Sequence, residues 1–216
     1  MAVDSRERVH RAAVTLFAGK GFHGTGIRDL AQAAKLSSAS LYHYMGTKEE
    51  LLAEIMRESL ERLLEAAALA TSGLTAPAER LTTLVALHVL THATQPDETR
   101  VVDNEVHALS PAARKIVVEL RDAYEQLWAS AIDDGVAEGV FHTEHPTVTR
   151  LALLEMCNGV ARWYSPRGTL VLDELAAHYA QLVMRALAHT GTGENPDLAG
   201  CRAVVSQVWG IRTAGV

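Results

Sequence analysis

The sequence predicts an all-α protein: a head of three short helices containing a helix-turn-helix, then a larger helical body. Three observations carry that prediction. Apolar residues recur with a helical period in every long segment, no segment alternates with the period of two that a strand requires, and glycine or proline punctuates the chain at helix-length intervals. Aromatic residues make up only 5% of the chain, while Ala and Leu are abundant, which favours helix. A chain of 216 residues is long enough for a substantial buried core in one or two domains.

Each element follows from its own residues. Val9, Ala12, Ala13, Leu16 and Phe17 fall at helical spacing on one stripe, and Gly19–Lys20–Gly21 ends that first helix. The GFHGTG stretch is loop, Ile27–Ala34 a second helix, Lys35–Leu36–Ser37 a turn and Ser38–Tyr44 a third helix, broken by Gly46–Thr47. Thr47 and Glu50 have the spacing of a capping box, each side chain reaching the other's amide. A fourth helix follows, its apolar residues recurring as Leu51/Leu52, Ile55/Met56, Leu60 and Leu63/Leu64 until Gly73. Pro77 opens a helix to about Thr94, and a shorter one spans about Glu98–Leu109. Ser110 is a cap before Pro111, a proline at a first helical position, and that helix runs to about Glu138. Pro146 opens the next, to about Tyr164, where SPRG breaks the chain. Leu172–His189 is helical, Thr190–Pro196 linker-like, and Asp197–Trp209 a last helix. The division expected is a head at 1–55 and a body at 56–216.

Net charge is −6, which taken whole speaks against nucleic acid. Its distribution does not. Residues 1–52 carry seven Lys/Arg against five Asp/Glu, and the remainder carries 13 against 21. A slightly basic head on an acidic body suits a local contact with phosphates. Cys157 and Cys201 make no disulfide framework and match no zinc spacing, so both are read as reduced. There is no 18-residue apolar run and no secretory leader, so a cytoplasmic protein without membrane contact is expected.

The segment TGIRDLAQAAKLSSASLYHYMGTK, residues 25–48, places two short helices about a tight turn. Leu30, Ala31 and Ala34 give the second helix a narrow apolar face, and its small alanines let the third helix cross closely. Leu41 anchors the third helix. Its other positions, Ser38, Ala39, Ser40, Tyr42, His43 and Tyr44, are small or polar, as suits a helix that offers donors and acceptors to base edges in a major groove. Ser37 joins them at the helix start. Phosphate contacts are expected from Thr25, whose hydroxyl would face outward before the second helix, from Lys48 in the first turn of the fourth helix, and from the Tyr42 hydroxyl. Arg28 is long enough to reach a guanine edge.

On these residues the chain resembles the TetR family. The matching positions include Phe17, Gly21, Phe22, Thr25, Ile27, Leu30, Ala31, Ala34, Leu36, Ser37, Leu41, Tyr42, Tyr44, Lys48, Glu49 and Leu51, in the order and spacing of the family's DNA-binding head. Three positions depart from it. Lys35 stands where the family has a glycine in the turn, Gly26 where it has Ser or Thr, and Met45 where it has phenylalanine. The resemblance implies a ligand-responsive repressor that binds a near-palindromic double-stranded DNA operator as a homodimer. It implies a small-molecule effector in the body and a dimer seam through about 146–189. Both helices of that seam are apolar on more than one side, through Leu151, Leu153, Leu154, Met156 and Val160, then Leu175, Leu182, Val183 and Leu187.

Glu155, Asn158 and Arg162 recur at i, i+3 and i+7 as a polar stripe on an apolar helix, followed by Trp163 and Tyr164. The run VARWYSPRGTLVLDELAAHY resembles the body of TetR-type regulators of fatty-acid and steroid catabolism that respond to CoA thioesters. An acyl-CoA or other lipid-like thioester is therefore the expected effector, with Glu105, Asn158, Arg162 and Trp163 as its contacts. The alternative is that the stripe is solvated or lies in the dimer seam. His88 and His92 form an HxxxH pair, but they share a face with Leu81, Leu84 and Val85. Packing or pocket lining is expected of them, not metal binding. No metal or cofactor and no catalytic residue is expected, since the zinc-protease, phosphate-loop and nucleophile-elbow motifs are all missing. Two other classes stand beside the repressor: a helical small-molecule binder without operator affinity, and a thioester-acting enzyme.

Overall fold

The computed structural model describes residues 5–189, 191 and 195–211. The regular elements of those residues are all helices, joined by turns and loops, with no strand among them. In chain order the helices are α1 (Ser5–Lys20), α2 (Ile27–Ala34), α3 (Ser38–Met45), α4 (Lys48–Ala70), α5 (Pro77–Thr94) and α6 (Pro96–Asn104). A 3₁₀ turn (Val106–Ala108) leads to α7 (Pro111–Ala137), α8 (Pro146–Asn158), α9 (Val160–Trp163), α10 (Leu172–Ala186) and α11 (Leu198–Trp209). Among the described residues, no helix is long and apolar enough to cross a membrane.

The punctuation read from the sequence coincides with the observed ends. Gly21 ends α1 with φ +75° while its N–H reaches the Phe17 carbonyl at 3.0 Å. Pro77 and Pro146 each sit at a helix start. At the start of α4, the Thr47 N–H donates to Glu50 Oε2 at 2.7 Å, and the Glu50 N–H donates to Thr47 Oγ1 at 3.1 Å, the reciprocal pair that the spacing implied. Two elements differ from expectation. The helix expected over 146–164 is interrupted at Gly159, which separates α8 from α9. The helix expected to reach Leu109 stops at Asn104, and the remaining residues tighten into the 3₁₀ turn.

The chain forms two compact units, and they do not divide at a single point. Of the described residues, the first comprises those up to Glu61 together with Asp97–Arg121; the second comprises Arg62–Pro96 and those from Asp122 onward. The core of the first unit gathers Val9 and Phe17 of α1, Leu30 of α2, Leu41 of α3, and Leu52, Ile55 and Met56 of α4. Val101, Val102, Leu109 and Val117 complete that same core. A polar tie reinforces it: Glu49 Oε1 accepts the Ser110 N–H at 2.8 Å.

The second unit is built around α5, in which every residue from Leu81 to Ala93 is buried. A helix buried on all sides needs partners all round. Here α10, α11, α8 and α9 pack against it. Trp128 and Ile132 of α7 belong to the same core. Gly135 is required where it stands, because a Cβ there would come within 2.1 Å of the Phe141 ring.

Candidate functional site

The α2–turn–α3 segment begins from a capping problem. Gly26 precedes α2 and has no side chain with which to cap it, but its N–H donates to Asp29 Oδ2 at 3.2 Å. That bond, with Lys20 Nζ 3.5 Å away, holds the Asp29 carboxyl below its usual range. At the far end of α2, Lys35 takes the left-handed conformation, φ 56° and ψ 47°. The Leu36 N–H then reaches the Ala31 carbonyl at 2.9 Å and the Lys35 N–H reaches Gln32 at 3.1 Å, a Schellman stop. A lysine in this conformation costs about 1–2 kcal/mol relative to a glycine.

The turn delivers Ser37 as the cap of α3, its Oγ accepting the Ser40 N–H at 3.1 Å and lying 2.9 Å from Ser40 Oγ. Leu41 and Met45 then face the core. Met45 is a second anchor one helical turn after Leu41, which the sequence reading passed over, although its i+4 spacing shows it. With α3 held from below, Ser37, Ser38, Ala39, Ser40, Tyr42 and His43 are exposed, Tyr42 to 53%. Tyr44 is half-buried, its ring edge-on to His43 at 5.1 Å. Arg28 in the first turn of α2 is also exposed.

Two expected phosphate contacts, Thr25 and Lys48, stand differently. Thr25 is 1% exposed and its hydroxyl points inward, donating to Gly21 O at 2.8 Å and lying 3.2 Å from Leu16 O. Its hydroxyl is therefore a staple for the α1–α2 loop, not an outward phosphate donor. The Gly21 carbonyl, just past the end of α1, gains its partner from this hydroxyl. Lys48 is half-buried and its ammonium donates to the Phe22 and Thr25 carbonyls, both at 2.8 Å, with the Phe22 ring centroid 4.2 Å away. It closes the same loop and has one N–H left to offer. Glu105 belongs to the first unit, where its Oε1 lies 3.4 Å from where a Cβ on Gly21 would stand. The other expected effector contacts are Asn158, Arg162 and Trp163.

Those three belong to the second unit. Asn158 ends α8 half-buried, while Glu155, Arg162 and Trp163 are exposed. Asn158 Oδ1 lies 2.9 Å from His88 Nε2, and its Nδ2 lies 3.5 Å from Glu155 Oε1. His88 Nδ1 lies 3.2 Å from the Tyr124 hydroxyl. The His92 ring stacks on that of His88 at 3.9 Å, and His92 Nδ1 lies 3.0 Å from the His88 carbonyl. Burial, and then the neighbouring His92, push the His88 imidazole well below its ordinary range. The histidine pair is thus a packed, hydrogen-bonded part of the core, and among the described residues no three metal-binding side chains converge. Along residues 146–189 the apolar side chains differ in exposure. Leu153, Val160, Leu175, Val183 and Leu187 are buried, whereas Val148, Leu151 and Leu182 are exposed.

Two family models match this chain. That of bacterial regulatory proteins of the tetR family matches residues 10–55, and that of the tetracyclin repressor-like C-terminal domain matches residues 74–187. The HTH-type transcriptional repressor KstR2 of Rhodococcus jostii is 30% identical over 82% of this chain and 87% of its own length. A solved bacterial regulatory protein in the tetR family, from Rhodococcus RHA1, superimposes with a TM-score of 0.80 at 27% identity, over 88% of this chain and all of that one. AibR, solved in complex with isovaleryl coenzyme A and operator DNA, has the same fold, with a TM-score of 0.74 at 23% identity over 83% of this chain and 97% of that one.

Proposed function

The chain belongs to the TetR family of bacterial regulatory proteins, and from that premise we propose how its geometry works as a ligand-responsive transcriptional repressor. Two subunits pair through the outward faces of α8 and α10 and present their α3 helices to successive major grooves of a near-palindromic operator. For such a dimer the half-sites stand about 34–36 Å or a multiple apart. The observation that carries the reading is α3 itself: two buried anchors, Leu41 and Met45, beneath a surface of Ser38, Ala39, Ser40, Tyr42 and His43. Side chains on a helix held this way need little ordering to enter a groove. Arg28 and Tyr44 flank that surface as further contacts, and Lys48 acts mainly by shaping the loop before α2.

The exposed Val148, Leu151 and Leu182 support pairing through residues 146–189, since apolar side chains grouped outside a filled core mark an interaction surface. The effector is a CoA thioester received in the second unit. The polar stripe of Asn158 and Arg162 beside Trp163 supports this, because a guanidinium suits phosphate and an aromatic suits an adenine or acyl face. A hundredfold release from DNA requires about 2.7 kcal/mol of differential affinity between the two states. The relatives are regulators, and none of the proposed contacts has a catalytic role.

Fluorescence anisotropy on a labelled fragment of the chain's own upstream region tests the proposal. Affinity that falls steeply between 50 and 200 mM salt, through loss of phosphate contacts, is the expected result. A helical ligand binder without operator affinity would instead show no fragment-selective binding at any salt.

A further inference from the structure

Tyr124, His88 and Asn158 form a chain of polar side chains in the second unit that operator binding does not use, and its direction can be worked out. Asn158 has Oδ1 toward His88 Nε2 at 2.9 Å and Nδ2 toward Glu155 Oε1 at 3.5 Å. The reversed amide would set its oxygen against the Glu155 carboxylate, two acceptors facing each other, so the amide is held as it stands. His88 Nε2 must then donate to Asn158 Oδ1. A neutral imidazole carries one N–H, so His88 Nδ1 is an acceptor, and the Tyr124 hydroxyl 3.2 Å away donates to it. His88 is buried and stacked at 3.9 Å on His92, whose Nδ1 donates to the His88 carbonyl at 3.0 Å, and this packing keeps the ring in place. Hydrogen bonds therefore run one way, from Tyr124 through His88 to Asn158.

We propose that His88, with Tyr124 behind it, is a positioning residue for effector recognition: its Nε2–H engages the Asn158 carbonyl oxygen and fixes the amide, so that Asn158 presents its N–H edge, and the site takes its effector through an acceptor oxygen such as a thioester carbonyl. This rests on reading the α8–α9 stripe as the effector site. The Arg162 guanidinium, 3.7 Å from where a Cβ on Gly159 would stand, adds a second donor next to Asn158. A ligand meeting this edge with its own N–H or O–H opposes the Asn158 and Arg162 donors and is left to the Glu155 carboxylate.

Two measurements on the full chain test the proposal. Nitrogen-15 NMR of the imidazoles reads the His88 tautomer without any ligand. Protonation at Nε2 is expected, and it persists in Tyr124→Phe, which removes the hydroxyl while the Asn158 oxygen still receives that N–H. Protonation at Nδ1 in the unaltered protein overturns the relay whether or not a thioester binds. Calorimetry then compares isovaleryl-CoA with its thioether, in which a methylene replaces the carbonyl. The thioester is expected to bind about tenfold more tightly, the worth of one buried hydrogen bond. That preference should shrink toward unity in His88→Phe, which removes the N–H that fixes the amide, and in Asn158→Asp, both still melting cooperatively and binding operator. Equal affinities in the unaltered protein overturn recognition through an acceptor oxygen. Binding of neither compound overturns the thioester reading itself, and the acceptor-oxygen proposal with it.

Discussion

Leu41 and Tyr42 are chain neighbours with opposite surroundings, and they separate folding from recognition. Leu41 is fully buried, so Leu41→Ala should cost about 2–5 kcal/mol in chemical unfolding. Tyr42→Ala should leave the melting temperature nearly unchanged, within about 0.5 kcal/mol, while weakening operator binding roughly tenfold through one lost phosphate contact. A large loss of stability in Tyr42→Ala would place that ring in a core and remove the groove-facing surface from the argument. Lys35→Gly relieves the left-handed lysine and should raise stability by about 1 kcal/mol, read as an increase in melting temperature. For His88 the sign follows from burial. Its folded-state pKa lies below the ordinary 6.5, so the unfolded chain takes up the proton first as pH falls. Stability from this residue is complete above pH 6.5 and declines below it, by at most about 1.4 kcal/mol per pH unit. Urea unfolding at pH 7.5 and 5.5 should show this slope reduced in His88→Gln.

At the scale of elements, most of the architecture was legible because the chain announces its helix ends. Glycine at 21 and 73, proline at 77, 111 and 146, and the Thr47–Glu50 box act through local backbone chemistry, which needs no knowledge of distant residues. The acidic groups at these helix starts carry a pH consequence too. Glu50 is held below its ordinary 4.5 by the Thr47 N–H, and Glu49 is likewise lowered by its bonds to Ser110. Their contribution is present above that range and is lost as pH falls through their folded-state values. What was not legible depended on pairing across long stretches of sequence. His88 and Asn158 are 70 residues apart, and nothing in either neighbourhood names the other. Thr25 was misread because its motif position says where it stands and not which way its hydroxyl turns. That direction was decided by the Leu16 and Gly21 carbonyls at the end of α1. The end of α6 was read too late because an apolar period ran past Asn104, where the chain tightens into the 3₁₀ turn.

For the whole molecule, the exposed apolar residues Val148 and Leu151 of α8 and Leu182 of α10 predict how assembly supports function. Leu151→Glu combined with Leu182→Glu alters exposed positions, 46% and 42% accessible, and should leave the fold intact. Sedimentation should show dissociation into single chains, and operator affinity should fall by roughly a hundredfold or more as one half-site is lost. Dimers that persist in this variant would place the seam elsewhere. The make-up of the first unit has a practical bearing on protein engineering. Its core draws Val101, Val102, Leu109 and Val117 from a stretch that re-enters after an excursion of 35 residues through the second unit. The DNA-reading portion is therefore not a detachable cassette. A chimera that transplants only the first 61 residues onto a foreign partner would lay bare the hydrophobic seats of those four side chains. It should aggregate unless the donor's 97–121 stretch travels with it.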